Sequence, residues 1–316
     1  MLAARRAACY NSATLSSSIT ASIAVISDIH ANLRALEAVL ADIGSLGIDE
    51  VLVNGDVVNR GPNNVAVLER LLALGYPMTL GNHDDLVRKW IDRDESLPAV
   101  WFDDPFWEGT AWSARQLDEA GLIDVFRDLP MTHKVEKGNA PSLLLSHGSP
   151  RHYREGYGKY LSDEDIAEIV QHNPADVLIG SHTHRQMERH WGPYTVLNTG
   201  AVGTPFNGDP RAQYLVMRLN GAGREEVWAP EFRAVSYDRE AALRDFETSG
   251  YLEEGGLSAR IFYEELRTAR AIYSTFWMWS EQQGRTKDWS GWHAFREAHA
   301  EKFSFAEIPA PAPSSD

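Results

Sequence analysis

Short apolar runs and longer amphipathic segments alternate along the first 230 residues. The short runs predict buried strands, and the segments with apolar residues at helical spacing predict helices between them. The first such helix ends at Gly47. Its apolar face comprises Leu33, Leu36, Leu40 and Ile43. A central stretch from Gly55 to Asp85 joins two strands through one helix as a β-α-β unit. The pattern therefore predicts an α/β domain.

Polar side chains follow five of the predicted strands, at the point where each strand ends. They are Asp28 and His30 after IAVIS, Asp56 after VLVN, Asn82 after PMTL, His147 after SLLLS, and His182 and His184 after DVLIG. Open α/β sheets place their ligands at the carboxyl ends of strands. Residues two apart in an extended segment face the same way, so we expect Asp28 and His30 to face one cation. The same spacing predicts that His182 and His184 face one cavity.

The types of these side chains narrow the choice of ligand. Carboxylate, amide and imidazole groups without thiolate suit borderline to hard divalent cations, such as Mn, Fe, Zn, Co or Ni. The sequence therefore predicts a site for divalent metal ions rather than a structural zinc site.

Composition and charge limit the class of protein. The chain has 316 residues, of which 43% are hydrophobic and 24% charged, enough for one large domain and an extension. A net charge of −15 argues against long nucleic acid as the main partner. The single cysteine, Cys9, fits a reducing compartment. No apolar run approaches the roughly 20 residues that span a bilayer. We therefore expect a cytoplasmic protein without a membrane partner.

The five polar blocks, taken in order, resemble a known family. DIH, GDVVNRG, GNHD, SHG and GSHTH resemble the blocks of the calcineurin-like metallophosphoesterases, D-x-H, G-D, G-N-H-[DE], G-H or H-G, and G-H-x-H. The resemblance implies a four-layer β-sandwich of two mixed sheets flanked by helices. It also implies two divalent metal ions, with Mn favoured. By motif position, the first ion takes Asp28, His30 and His184, the second takes Asn82, His147 and His182, and Asp56 bridges both.

The resemblance also implies an activity, the hydrolysis of phosphate esters by a metal-bridging hydroxide. No side-chain nucleophile is then needed, and the chain lacks the G-x-S-x-G motif. His83 is the residue implied to protonate the leaving oxygen, with a supporting hydrogen bond to the site as the alternative. Arg60 matches a position whose guanidinium contacts phosphate, with a surface salt bridge as the alternative.

Three departures from the family pattern bear on the substrate. Asn59 and Asp84 stand where the serine/threonine phosphatase branch has Asp and Glu, and Ser181 is inserted before His182. These departures favour the bacterial phosphodiesterase-like and dinucleoside-polyphosphatase-like branches, and hence phosphodiesters or small nucleotides as substrates. A phosphoprotein (Ser/Thr) phosphatase is the alternative enzyme. A non-catalytic binding protein on a phosphoesterase fold is the alternative from another class.

The chain divides into three predicted regions. Residues 1–22 contain no acid and are rich in Ala, Ser and Thr, which is typical of either a disordered tail or a targeting segment. Residues 23–230 form the metallophosphoesterase domain. Residues 231–316 form a helical extension with a polar, Pro-rich tail. The extension packs against the domain or against a second subunit of a homo-oligomer, or acts as a lid.

Overall fold

The structure is a computed structural model that describes residues 19–306. Its strands are β1 (Ile19–Ile26), β2 (Glu50–Asn54), β3 (Met78–Thr79), β4 (Thr132–Val135), β5 (Leu143–Ser146), β6 (Val177–Gly180), β7 (Met187–Trp191), β8 (Tyr194–Asn198), β9 (Ala212–Asn220) and β10 (Val227–Val235). Its helices are α1 (Leu33–Leu46), α2 (Asn64–Leu74), α3 (Asn82–Asp92), α4 (Glu108–Glu119), α5 (Asp163–His172), α6 (Arg239–Thr248), α7 (Tyr251–Glu254), α8 (Gly256–Thr268), α9 (Ile272–Gln283), α10 (Trp289–Ala298) and α11 (Ala300–Phe303). Most of the predicted N-terminal tail and the end of the Pro-rich tail lie outside the described residues.

The strands form two mixed sheets of five strands each. The first sheet has the order β10-β9-β1-β2-β3, and the second has the order β4-β5-β6-β8-β7. Strands β1, β2 and β3 are parallel to one another, and so are β5, β6 and β8. The parallel strands therefore end at a common edge of each sheet, where the predicted ligand residues follow them.

The two sheets pack face to face with helices outside. Along β1, Ile23 and Val25 contribute to the core between the sheets. Ala24 and Ile26 contribute to the core between the first sheet and helices α1 and α2. Helix α5 covers the outer face of the second sheet, where Ile169 is buried. The alternation of buried side chains along each strand thus produces four layers, which confirms the predicted fold class.

Local sequence explains the boundaries of the first helix. The side chain of Asn32 accepts a hydrogen bond from the backbone N–H of Ala35 at 3.1 Å and caps the start of α1. Gly47 ends α1 in the left-handed conformation at φ 61°, which glycine adopts without steric strain.

Several predicted boundaries differ from those in the structure. Strand β1 begins at Ile19 instead of Ile23, since its first residues pair with the end of β9. Strand β10 continues past the predicted domain boundary at residue 230 and ends at Val235. Strands β4 and β7 were not predicted, because their sequences, THKV and MERHW, are polar. Both are edge strands, and each is paired with its sheet on one side.

Helices α6 to α11 form the C-terminal helical region, which packs against the segment that follows β3. Phe106 and Trp107 of that segment share one buried cluster with Phe276 of α9 and Phe295 of α10. Trp112 of α4 shares a second cluster with residues of α6 and α8. The aromatic residues of this segment thus serve packing. Among the described residues, no helix has both the length and the apolar character needed to cross a membrane.

Candidate metal centre

The loops that follow β1, β2, β3, β5 and β6 converge and bring the seven predicted ligand residues together. Six of them are at most 6% exposed, and His182 is half-buried. The six are Asp28, His30, Asp56, Asn82, His147 and His184. Burial of so many ionisable side chains in one place is unfavourable unless a ligand or partner satisfies them.

The backbone at these residues differs from the expectation. Asp28 and His30 were expected on an extended segment, but β1 ends before them and their φ angles are 49° and 48°. Asp56, His182 and His184 also have positive φ angles, of 53° to 54°. Residues other than glycine seldom adopt this left-handed conformation, and it is concentrated at functional sites. The loops turn sharply as each strand ends, and this turn, rather than strand alternation, directs the side chains to one point.

The first cluster contains Asp28, His30 and His184, whose ligand atoms all lie within 4.8 Å of one another. Nε2 of His184 lies 3.1 Å from Oδ1 of Asp28 and 3.2 Å from Nε2 of His30. Burial lowers the pKa of His30 well below its usual value, so its imidazole is neutral and offers a lone pair. This cluster has the donor set of a divalent cation site.

The second cluster contains Asp56, His147 and His182, again with ligand atoms within 4.8 Å of one another. Nε2 of His147 lies 3.2 Å from Oδ2 of Asp56 and 3.2 Å from Oδ1 of Asn82. Burial lowers the pKa of His182 to about 4. Burial opposes a charge on His147, but the Asp56 carboxylate outweighs it and raises the pKa of His147 to about 10. The amide oxygen of Asn82, which lies 3.2 Å from Nε2 of His147, is a further possible ligand beside this cluster.

Asp56 belongs to the second cluster and also lies close to the first. Its Oδ2 atom is 3.2 Å from Nε2 of His147 and 3.7 Å from Nε2 of His30. Burial raises the pKa of Asp56, but His147 and His83 outweigh it and hold that pKa well below its usual value. Asp56 is therefore ionised and contacts both clusters at once.

The hydrogen bonding of three carboxylate oxygens indicates whether these residues fit a pair of cations. Both oxygens of Asp28 and Oδ2 of Asp56 are buried and accept no hydrogen bond from any described residue. Buried carboxylate oxygens are rarely left without a partner, since each loses its hydration on folding. Cations in the two clusters would satisfy all three oxygens. The donor set, its burial and its unsatisfied oxygens fit a divalent metal pair.

Backbone carbonyls fix the orientation of two of the histidines. Nδ1 of His147 lies 3.0 Å from the carbonyl oxygen of Asn54, and Nδ1 of His184 lies 2.6 Å from that of Thr204. Such hydrogen bonds keep a proton on Nδ1, so that Nε2 is the nitrogen that would bind a cation. On His147 the cation would replace the Nε2 proton that Asp56 stabilises. The hydroxyl of Ser181 lies 3.1 Å from both the Asn54 carbonyl oxygen and Nδ1 of His147. The serine that departs from the family pattern thus contacts a ligand residue without displacing it.

Asp84 supports the loop that carries Asp56, a role that the sequence analysis missed. Its carboxylate accepts hydrogen bonds from the backbone N–H groups of Asp56, Val57, Val58 and Gly81, at 2.8, 2.9, 3.3 and 3.0 Å. Burial and the neighbouring Asp56 raise the pKa of Asp84 to about 7. The sequence carries one signal for this role, an acid at the third position of a helix, which often accepts from the residue before the helix.

His83 lies beside the first cluster, with its ring centroid 5.0 Å from that of His30. Nδ1 of His83 lies 3.1 Å from Nδ2 of Asn59. The other end of that amide, Oδ1, accepts a hydrogen bond from the backbone N–H of Arg60 at 2.8 Å. The amide therefore donates to Nδ1 of His83 and leaves the imidazole proton on Nε2. Burial lowers the pKa of His83 well below its usual value, so this neutral form prevails at pH 7.

Arg60 is buried, and the C-terminal helical region holds it. Its guanidinium forms an ion pair with Glu265 of α8, and the two side chains are 10% and 1% exposed. The guanidinium also lies 4.9 Å from the ring centroid of Phe262 and 5.4 Å from that of Phe206. The salt bridge expected as the alternative for Arg60 exists, but it is buried rather than at the surface. No spacing in the sequence indicated Glu265.

Comparisons with known proteins agree with this geometry. Residues 21–186, more than half of the chain, match the sequence model of the calcineurin-like phosphoesterase family. An uncharacterized protein of Methanocaldococcus jannaschii is 28% identical over 211 residues, which cover 61% of this chain and 81% of that protein. The symmetrical bis(5'-nucleosyl)-tetraphosphatase of an Acidovorax species is 47% identical over 62 residues, only 19% of this chain and 22% of that enzyme.

A solved structure shows the same architecture. The crystal structure of a metallophosphoesterase from Sphaerobacter thermophilus matches with a TM-score of 0.58 and 25% identity, over 78% of this chain and 99% of that one. The predicted family, fold and enzyme class are thereby confirmed. The chain belongs to the calcineurin-like phosphoesterases and is a metal-dependent phosphoesterase.

Proposed function

We propose that the protein hydrolyses phosphodiesters or small nucleotides at a centre of two divalent cations, with Mn²⁺ as the metal. The observation that carries this proposal is the position of Asp56, which contacts both ligand clusters through one oxygen. In the proposed assignment Asp28, His30 and His184 hold one cation, Asn82, His147 and His182 hold the other, and Asp56 contacts both. A bound cation pair neutralises charge on a phosphate group and lowers the pKa of water at the centre.

The side chains around this centre have distinct tasks in the proposed reaction. His83 presents Nε2–H beside the first cluster. Because its imidazole is neutral, this group donates a hydrogen bond to the leaving oxygen and stabilises the negative charge that develops there. Asn59 keeps the His83 ring in the required tautomer through its hydrogen bond to Nδ1. Arg60 lines the same cavity as His182, where its guanidinium binds a phosphate oxygen of the substrate.

Two observations support diesters and nucleotides over phosphoproteins. The serine/threonine phosphatase branch has an aspartate at position 59, which would accept a hydrogen bond from His83 and favour its imidazolium form. In this chain the amide of Asn59 instead donates a hydrogen bond to His83. The short stretch of 47% identity is to an enzyme named as a bis(5'-nucleosyl)-tetraphosphatase. Both observations favour a small, nucleotide-like substrate.

The test is hydrolysis of a substrate panel by the full-length protein, first stripped of metal and then reloaded with Mn²⁺. The panel contains bis-p-nitrophenyl phosphate, p-nitrophenyl phosphate, a cyclic nucleotide, a dinucleoside polyphosphate and a phosphoserine peptide. We expect metal-dependent cleavage, with the diester or the dinucleotide preferred. Reloading with Zn²⁺, Fe²⁺, Co²⁺ or Ni²⁺ in parallel tests the choice of Mn²⁺.

Two variants separate the site from the remainder of the surface. Asp56→Asn removes the shared charge, and we expect about a hundred-fold or greater loss of kcat. Asp124→Asn makes the same substitution at a side chain that is 80% exposed and should leave activity unchanged. Full activity in Asp56→Asn would refute the proposed centre, and a preference for the phosphoserine peptide would refute the proposed substrate class.

A further inference from the structure

A cavity of about 640 Å³ opens beside the candidate metal centre. Its lining includes His182 of the second ligand cluster and Arg60. The C-terminal helical region supplies another part of the wall, through Glu265 of α8 and Tyr273 of α9. Its volume lies in the range of small-molecule sites, about 300–1,000 Å³. The cavity therefore extends from the metal centre to a wall made by the last third of the chain.

Aromatic rings surround the guanidinium of Arg60 where it lines this cavity. The ring of Phe206 stacks on His184 with centroids 4.3 Å apart, and that of Tyr273 stacks on Phe262 at 5.4 Å. The Arg60 guanidinium lies 5.4 and 5.9 Å from the ring centroids of Phe206 and Tyr273. Its Nε atom is buried and has no hydrogen-bond partner among the described residues. Arg60 thus keeps one free donor although Glu265 neutralises its charge.

The mouth of the cavity carries two cations without acidic partners. Lys159 and Arg185 both line the cavity and are exposed. Within residues 19–306, neither forms an ion pair, whereas nearby Arg151 pairs with Glu155, Asp165 and Glu168. In a chain of net charge −15, a mouth that keeps two unpaired cations attracts an anion.

An exposed aromatic ring lies beside these cations. Tyr160 is 87% exposed, and Nζ of Lys159 lies 4.8 Å from the centroid of its ring. Exposed rings next to cations are typical of surfaces on which a nucleobase stacks. The mouth therefore offers contacts to an anionic group and to a flat aromatic group at the same time.

We propose that this cavity binds a nucleoside diphosphate or polyphosphate, with one phosphate at the metal centre, a further phosphate on Lys159 and Arg185, and the base on Tyr160. The inference deepens the proposed function, since it names the part of the substrate beyond the phosphate that is attacked. It assigns the selection of that part to the cavity mouth and to the wall formed by α8 and α9. A substrate with a single phosphate leaves both mouth cations without a contact.

The test measures binding, so that it does not depend on turnover. The full-length, Mn²⁺-loaded protein is titrated in a calorimeter with adenosine 5'-(α,β-methylene)diphosphate, with AMP and with inorganic pyrophosphate. Chromatography of the recovered nucleotides confirms that they are intact. We expect the double variant Lys159→Ala/Arg185→Ala to raise Kd for the diphosphate by about ten-fold and for AMP by less than about two-fold.

Further variants separate charge from stacking. Tyr160→Ala should weaken both adenosine compounds by a similar factor and leave pyrophosphate binding unchanged. Lys134→Ala removes the same charge from an exposed position on β4 and should change none of the affinities. Equal affinity of the double variant and the wild type for the diphosphate overturns the inference, and so does equal affinity of the wild type for AMP and the diphosphate.

The outcomes also distinguish the inference from the proposed function. A protein that hydrolyses bis-p-nitrophenyl phosphate, but binds the diphosphate equally well with and without the mouth cations, keeps the proposed function and loses the inference. A protein that binds the diphosphate through these cations, but cleaves nothing in the panel, keeps the inference and loses the proposed function.

Discussion

Asp84→Asn tests how much of the candidate centre depends on one buried carboxylate. In the structure Oδ2 of Asp84 accepts from the N–H groups of Asp56 and Gly81, and Oδ1 accepts from those of Val57 and Val58. Asparagine keeps one of these two oxygens. It turns an NH₂ group toward the other pair of N–H donors, so two of the four hydrogen bonds are lost.

The magnitude follows from those two hydrogen bonds. Each hydrogen bond to a charged acceptor contributes about 1.5–3 kcal/mol, so the gross loss is about 3–6 kcal/mol. In the wild type, burial and repulsion from Asp56 raise the pKa of Asp84 to about 7. Replacing the Asp84 carboxylate by a neutral amide relieves this repulsion. We therefore expect the free energy of unfolding to fall by a net amount of about 2–4 kcal/mol.

The assay is urea unfolding of the metal-free protein in EDTA, followed by tryptophan fluorescence. Asp124→Asn is the control, because the side chain of Asp124 is 80% exposed and its replacement should change stability by less than about 0.5 kcal/mol. Metal binding by Asp84→Asn, measured separately, should also weaken, since the Asp56 loop loses its support. A loss of stability below about 1 kcal/mol would show that the four hydrogen bonds are not what holds this loop.

Three further predictions concern the surroundings of the site. Gly203→Ala places a Cβ atom 2.0 Å from the carbonyl oxygen of Ile29, so we expect this variant to have a lower melting temperature. The control, Gly44→Ala in α1, places a Cβ atom with nothing within 4 Å and should raise the melting temperature. Equal shifts of the two melting temperatures would contradict this reasoning. Glu265→Ala leaves Arg60 as a buried unpaired charge and should lower the free energy of unfolding by about 3–5 kcal/mol in urea unfolding. Glu265→Gln still accepts from the Tyr273 N–H, at 2.7 Å in the structure, and should lose less; an equal loss would show that the charge is unimportant. Asn59→Asp places a carboxylate against Nδ1 of His83 and should raise the pKa of His83 by about 1–3. NMR titration measures this pKa, with Asn173→Asp as the control variant. An unchanged pKa of His83 would mean that residue 59 does not set its protonation.

The ligand residues were predictable from sequence because two signals indicate the end of each strand, an apolar run and the polar residues that follow it. Apolar runs such as IAVIS and DVLIG indicate where buried strands lie, and the polar residues that follow are the first able to leave the core. The backbone at Asp28 and His182 was not predictable in this way. Their positive φ angles depend on neighbouring loops, as in the hydrogen bond from the Asp28 N–H to the Gly55 carbonyl oxygen.

Other parts of the fold have no local signal. Strands β4 and β7 have polar sequences and exist because β5 and β8 offer unpaired edges. The partner of Arg60 is 205 positions away along the chain, and an acid at that distance resembles any acid on an amphipathic helix. Contacts between distant segments depend on the packing of the whole chain, which periodicity and spacing do not describe.

The ion pair between Arg60 and Glu265 links the completion of the cavity to the order of synthesis. The N-terminus of a chain leaves the ribosome first, so every proposed metal ligand emerges before Glu265 does. N-terminal regions generally fold first during synthesis. A nascent chain that has reached β10 therefore holds all seven ligand residues, yet Arg60 lacks its partner Glu265 and the cavity lacks the part of its wall that α8 and α9 form. The ion pair of Arg60 and this part of the cavity wall can therefore form only after α8 and α9 have been translated.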